Sequence, residues 1–297
     1  MWKLGIYVVE ISIFGYNICR HNAIYKPRGR SLWLISQEKR EKDLKSIEEF
    51  KMFDDTFMST VFDGHIEETN LLLRVILERD DIDVISSKSQ YFISNLNYKE
   101  TRLDIYAQDK DSNTYHVEVQ RNLKGASVQR ARFTSALVDS RLLMKGQDYN
   151  ELPGRYTIFI TEDDKFGEEI PAYHAENTIA EKEHMPLGDG GHIIYINGQY
   201  RNTDTPIGEL MHDFFCSKAD DIINPILRKR VKYLKETEGG NEEMCEIMEN
   251  RIKEEKIELA KEAIKKNSLT LPQIADVLKL PLAFVEEIAR QITQVHA

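Results

Sequence analysis

Residues 102–120 read RLDIYAQDKDSNTYHVEVQ, and the organisation of the chain can be worked outward from them. Two alternating runs, RLDIYA at 102–107 and YHVEVQ at 115–120, flank the turn-rich DKDSN of 109–113. A period of two on either side of such a turn predicts a β-hairpin. Side chains alternate along a strand, so Arg102, Asp104 and Tyr106 share one face, as do His116, Glu118 and Gln120 on the partner strand. A turn centred on Asp111 sets Asp104 opposite Glu118, and a shift of two residues keeps both carboxylates on one face. Opposed carboxylates with Cβ atoms ~5 Å apart repel. Magnesium held by their oxygens relieves that repulsion, activates a water and stabilises a phosphodiester under in-line attack. Gln120 lies two residues along, aimed at the same place as a neutral donor. Spacing alone leaves a second account open: a half-exposed hairpin with Asp104 and Glu118 solvated or paired to Arg102.

Moving outward, IEETNLLLRVILE at 66–78 places Ile66, Leu72, Leu73, Ile76 and Leu77 at helical spacing, with Glu67 and Glu68 complementing the dipole at its start. Residues 127–145 form a second predicted helix with Val128, Ala131, Ser135, Val138 and Leu142 on one stripe, Ser127 as N-cap and Gly146 as stop. RYTIFIT at 155–161 and HIIYI at 192–196 read as strands, and 207–235 as a further helical stretch. Gly239-Gly240 reads as a linker, followed by a long charged helix over 241–266 capped by Asn241. Two short helices close the chain, with Pro272 and Pro281 near their starts. Glu286 and Glu287 against Arg290 make the last pair poorly suited to approach phosphates as a helix-turn-helix. A tail that packs on itself, on the core or on a second copy as a homodimer is the expectation.

The order α-β-β-α-β around Asp104 and the ExQ of 118–120 resembles the PD-(D/E)xK nuclease superfamily, and in particular its transposase-associated, Rpn-like branch of recombination-promoting nucleases. The resemblance covers residues 50–200 and is carried by FDDTFMSTVF at 53–62, RLDIYAQD at 102–109, YHVEVQR at 115–121 and QRARFTSALVDSRLLMKGQDYNELPGRYTIFIT at 129–161. It implies an α/β, restriction-endonuclease-like core, a mixed sheet flanked by helices, with a C-terminal all-α tail. The implied division is an N-terminal extension at 1–45, a nuclease-like domain at 46–238 and a helical tail at 241–297. Carried over by position, Asp104 and Glu118 match the metal-binding acids, and the backbone carbonyl of Val119 completes the coordination. A first-helix acid, Glu67 or Glu68, joins them. Gln120 stands where the superfamily more often has lysine and brings no positive charge to the transition state. Arg130 and Arg132 on the following helix are the candidates to supply that charge to a phosphate. The implied activity is a magnesium-dependent DNA endonuclease, with manganese as substitute, linked to recombination or a mobile element. The alternative is a degenerate nuclease fold that binds DNA or protein without cutting.

Composition constrains these readings. The 297 residues carry 40 Lys+Arg against 50 Asp+Glu, a net charge of −10, which opposes sequence-blind coating of nucleic acid without excluding a local basic groove. Cys19, Cys216 and Cys245 show no paired spacing and suit a reducing, cytoplasmic setting. Residues 4–18 are apolar but too short to span a bilayer and interrupted by Glu10, so no membrane role is expected. They read as a buried strand with a linker behind it, or as residues from a start placed too far upstream. DKDSNTYHVEVQ lacks the glycine and final glutamate of a calcium-binding loop, LGDGGH at 187–192 reads as a tight turn, and neither HExxH nor GxSxG occurs.

Overall fold

The computed structural model describes residues 11–13, 16–18, 32–93 and 101–295. The chain forms two units, residues 1–42 and 43–297. In the first, β1 (Ile11–Ile13) and β2 (Tyr16–Ile18) pair antiparallel with Ile11 opposite Ile18, and α1 (Leu32–Glu49) begins. The remaining expectations for residues 1–31 lie outside the described residues.

In the second unit, α2 (Asp55–Phe62) and α3 (Ile66–Leu77) precede a meander of β3 (Val84–Ile93), β4 (Thr101–Asp109) and β5 (Thr114–Gln120). A single 3-10 turn at Leu123–Ala126 leads into α4 (Val128–Leu142), which returns the chain to β6 (Arg155–Thr161). Then come β7 (Ala172–Glu176), the small hairpin of β8 (Thr178–Ile179) and β9 (Met185–Pro186), and β10 (Gly191–Asn197). Helices α5 (Pro206–Phe215), α6 (Pro225–Glu236), α7 (Glu238–Lys266), α8 (Leu271–Leu278) and α9 (Leu282–Val295) complete the described residues.

The sheet runs β3-β4-β5-β6-β10-β7, antiparallel from β3 to β5, parallel across β5, β6 and β10, and antiparallel again at β7. This is the mixed sheet flanked by helices that the sequence predicted, with one strand more than the expected order. VISSKSQYFI of β3 dilutes its apolar residues with serine, lysine and glutamine, and Gln90 interrupts it at a φ of 52°. The α-β-β-α-β order is corrected to α-β-β-β-α-β.

The strands in the middle of the sheet are covered on both sides, so RYTIFIT is almost continuously buried instead of alternating. Val117, Ile158, Ile160, Ile194 and Ile196 face a core built from α2, α3, α5 and α6. Phe159 and Tyr195, which alternate with them, meet Ala126 and Ala131 under α4. Arg155 fastens that layer: its guanidinium donates to Asp139 (2.9 Å) and Ser135 (2.8 Å) on α4 and to Thr157 (3.1 Å) beside it.

Several boundaries differ from expectation. Helix α4 ends at Leu142 instead of running to Lys145 ahead of Gly146, and Val128 of the predicted stripe is exposed. The stretch 207–235 is two helices, because the buried Asp213 accepts from Ile223 N–H (2.7 Å) and Asn224 N–H (2.9 Å) and so holds the intervening loop. Gly239-Gly240 is the first turn of α7 and not a linker, and Thr237 replaces Asn241 as the N-cap, accepting from Gly240 N–H. A Cβ on Gly240 would overlap the Tyr233 carbonyl oxygen and lie 2.6 Å from Leu234 Cα, so glycine permits the close turn from α6 into α7. The first half of α7 adds Met244, Cys245 and Met248 to the main core. Its second half packs with α8 and α9 around Ala260, Ile274, Val285 and Ile288. Among the described residues, no helix is long and apolar enough to cross a membrane.

The two glycines are expected to separate in a denaturant titration. Gly240→Ala should lower the unfolding free energy by about 2 kcal/mol through backbone overlap. Gly239→Ala, whose Cβ meets nothing nearer than Tyr233 Oη at 3.5 Å, should be neutral or gain up to ~1 kcal/mol from helix propensity. Equal effects would contradict this account of the turn.

Candidate active site

Strands β4 and β5 pair with the register expected from the turn: Gln108 faces Thr114, Tyr106 faces His116 and Ile105 faces Val117. Asp109 sets that register. Its buried carboxylate accepts from Asp111 N–H (3.0 Å), Asn113 N–H (2.9 Å), Asn113 Nδ2 (3.0 Å) and Tyr115 Oη (2.7 Å). The ladder stops at Ile105–Val117, one residue short of the acids. Val119 N–H, which a continued ladder would direct to the β4 main chain, donates to Asp104 Oδ2 at 2.9 Å. N–H and C=O of one residue in an extended strand point to the same edge. The Val119 carbonyl therefore shares the edge that faces Asp104, whereas the Gln120 carbonyl accepts from Glu162 N–H on the β6 side.

Glu118 is fully buried on a central strand, which overturns the half-exposed hairpin with a solvated acid. Its partners come from its own face of the strand and from α4. His116 Nε2 lies 2.8 Å from Oε1 and donates to it, while Oε2 accepts from Gln120 Nε2 (3.1 Å) and Arg130 Nη2 (2.6 Å). Arg130 is placed by the start of α4: Ser127 Oγ accepts its N–H at 3.1 Å, the N-cap bond the sequence predicted, and its Nη1 donates to Gly125 O at 3.2 Å.

A third carboxylate stands close by. Asp55, at the start of α2, accepts from Gln90 Nε2 (2.9 Å) and from Arg251 Nη1 of α7 (2.9 Å). Gln90 is the β3 residue opposite Asp104 in the register that pairs Ser89 with Ile105 and Tyr91 with Leu103. Three carboxylates, Asp55, Asp104 and Glu118, thus meet two guanidiniums, Arg130 and Arg251. The imbalance falls on Asp104. Burial pushes its carboxyl up to about 8, the charges of Glu118 and Asp55 act in the same direction, and the Val119 N–H and Arg130 oppose them. Asp104 Oδ1 has no protein partner among the described residues.

Other expected residues lie elsewhere. Arg132 is exposed on the outer face of α4 and contacts none of the three acids. Glu67 is exposed and lines a cavity with Ile66, Asn70 and Pro206, and Glu68 is buried 3.9 Å from His65. Sequence reasoning passed over Asp55, Gln90 and Arg251. Asp55 was visible inside FDDTFMSTVF, but Gln90 sits in an unrecognised strand and Arg251 in a Glu/Lys-rich helix without a local signal.

The chemistry of the donor set fits a hard divalent cation. Asp104 on β4 and Glu118 on β5 are near enough for the charge of one to raise the carboxyl of the other, and Asp104 Oδ1 has no protein partner among the described residues. A second donor group, His212, Asp213 and Cys216, fits a metal less well. Asp213 is committed to its loop, and burial pushes the Cys216 thiol up to about 11.

A family model described as PD-(D/E)XK nuclease family transposase matches residues 69–271, more than half of the chain. The match includes Asp104, Glu118, Gln120, Arg130 and Arg251 and begins after Asp55. No curated protein and no solved structure matches the chain.

The raised Asp104 pKa has a definite sign. An unfolded aspartate titrates near ~3.9, so between there and about 8 the folded state holds the extra proton, and this group's contribution to stability falls as pH rises through that window. Asp104→Asn, free of that titration, should melt on the order of 5 °C above the wild type at pH 8. The difference should vanish toward pH 4. A lower midpoint for the variant at pH 8 would contradict the assignment.

Proposed function

We propose that this chain, which belongs to the PD-(D/E)XK nuclease family transposases, is a metal-dependent DNA endonuclease serving recombination or a mobile element. The observation that carries the reading is the charge imbalance: two opposed acids on parting strands, a third acid beside them, and two arginines to answer three charges. Asp104, Glu118 and the Val119 carbonyl would hold magnesium, with manganese as substitute. Asp55 takes the part expected for Glu67 or Glu68 as the acid contributed by a helix ahead of the sheet. When bound, the cation supplies a water of lowered pKa and charge stabilisation at the scissile phosphate.

The protein's own groups do the rest. Gln120, in the position of the usual lysine, keeps Glu118 Oε2 oriented and presents an amide beside the attacking water. It brings no charge, and Arg130, 37% exposed while bonded to the buried Glu118, is the cation placed to meet a phosphate oxygen. Exposed Lys124 in the turn after β5 and Arg132 on α4 add local positive charge opposed to the −10 of the whole chain, whereas Arg121 is paired with Asp54 at 2.9 Å. Arg132 grips the backbone away from the scissile bond. Cys216 and Cys245 form no disulfide, which suits the reducing cytoplasm in which the protein is proposed to act.

Supercoiled plasmid with magnesium tests this directly. Wild type should nick or linearise it, and Asp104→Ala and Glu118→Ala, shown to be folded, should not. Arg130→Ala should slow cleavage on the order of a hundredfold. Arg132→Ala should weaken DNA binding and reduce the slope of log affinity on log salt by about 1. DNA binding that survives Asp104→Ala with no product from any form, with magnesium or manganese, would reject the nuclease reading in favour of a binding module that holds DNA without cutting, the alternative motivated by Gln120.

A further inference from the structure

Gly125 lies in the short turn between the ExQ strand and α4, and its φ is not in the left-handed region. Conformational freedom is therefore not what glycine contributes there. A Cβ built on it would overlap Gln120 Oε1 and lie 2.8 Å from Cδ and 3.5 Å from Cγ, so its three nearest atoms all belong to Gln120. The backbone of the turn has little room to move away. Gly125 N–H donates to Asn122 O (2.9 Å), Lys124 N–H donates to Asn122 Oδ1 (2.9 Å), and Ser127 caps α4. The Gly125 carbonyl also accepts from Arg130 Nη1 at 3.2 Å. One residue without a side chain is thus wedged between the two groups that meet at Glu118 Oε2.

We propose that Gly125 is a positioning residue of the cleavage site: its missing side chain is the space in which the Gln120 amide lies while donating to Glu118. A methyl group there displaces the flexible end of Gln120 and leaves the fold standing. The amide then loses Glu118, and the carboxylate is held by Arg130 and His116 without it. The glutamine at position 120 and the glycine at 125 belong together, since the amide oxygen rests on the turn while its nitrogen faces the acid.

The cleavage arm of the test rests on the nuclease reading, so a second readout independent of cleavage accompanies it. Full-length wild type, Gly125→Ala, Gln120→Ala and the double variant are compared by thermal unfolding, by plasmid nicking with magnesium, and by the side-chain amide resonances of Gln120, assigned as the pair missing from Gln120→Ala. Gly125→Ala should melt near the wild type, nick roughly ten- to a hundredfold more slowly and shift the Gln120 amide pair. In the Gln120→Ala background the same change should alter nicking by less than about twofold, because the two positions act through one contact. If Gly125→Ala fails to fold and the double variant folds, the overlap with Gln120 is confirmed by rescue. An unmoved amide pair, an equal loss of nicking in both backgrounds, or unfolding in both would overturn the proposal. A wild type that does not nick rejects the nuclease reading alone, and the amide pair still decides the role of Gly125.

Discussion

The burial of one carboxylate organises this part of the molecule. Glu118 sits on a central strand with no solvent exposure, where an uncompensated charge would cost several kcal/mol. Its two oxygens accept three hydrogen bonds, from His116, Gln120 and Arg130. Arg130 reaches it because Ser127 starts α4 where it does, and the turn at 123–126 sets the spacing between strand and helix. The apolar face of the same strand, through Val117 and Val119, packs into the main core. Strand β5 is therefore both the keel of the fold and the carrier of its most demanding polar group.

The second acid is managed differently. Asp104 is held by a single main-chain donor, and its charge is suppressed instead of paired. Two carboxylates on neighbouring strands thus have separate environments: Glu118 is locked, and Asp104 is left with an oxygen that no group among the described residues satisfies. Asp55 adds a third environment, neutralised by an arginine from α7. Helix α7 consequently belongs to the site as well as to the tail. Its N-terminal half packs on the main core and carries Arg251, whereas its C-terminal half joins α8 and α9.

What could be read from the sequence follows the range of the interactions involved. The hairpin and its register as far as Ile105 and Val117 were legible because a turn encodes them locally, and Asp109 binds four groups within six residues of itself. The N-cap at Ser127 and strand β6 were legible for the same reason. Strand β3 was not, because its polar residues and the interruption at Gln90 hide the period that marks a strand. Gly239-Gly240 misled, since a close approach of α6 and α7 selects the same residue type as a flexible linker. Asp55 and Arg251 escaped because each acquires its meaning from the other, and no local pattern joins them.

That last pair has a consequence for the order in which the protein is made. Asp55 and Arg251 are separated by 196 residues. At typical elongation speeds roughly ten to forty seconds of synthesis lie between them. During that interval the sheet and α4 can form, while Asp55 waits for its guanidinium. The acidic cluster of a nascent chain is therefore more negative than that of the finished protein, and it stays so until α7 leaves the ribosome and docks. Completion of the long helix is the event that sets the final electrostatics of a site otherwise assembled from the first half of the chain.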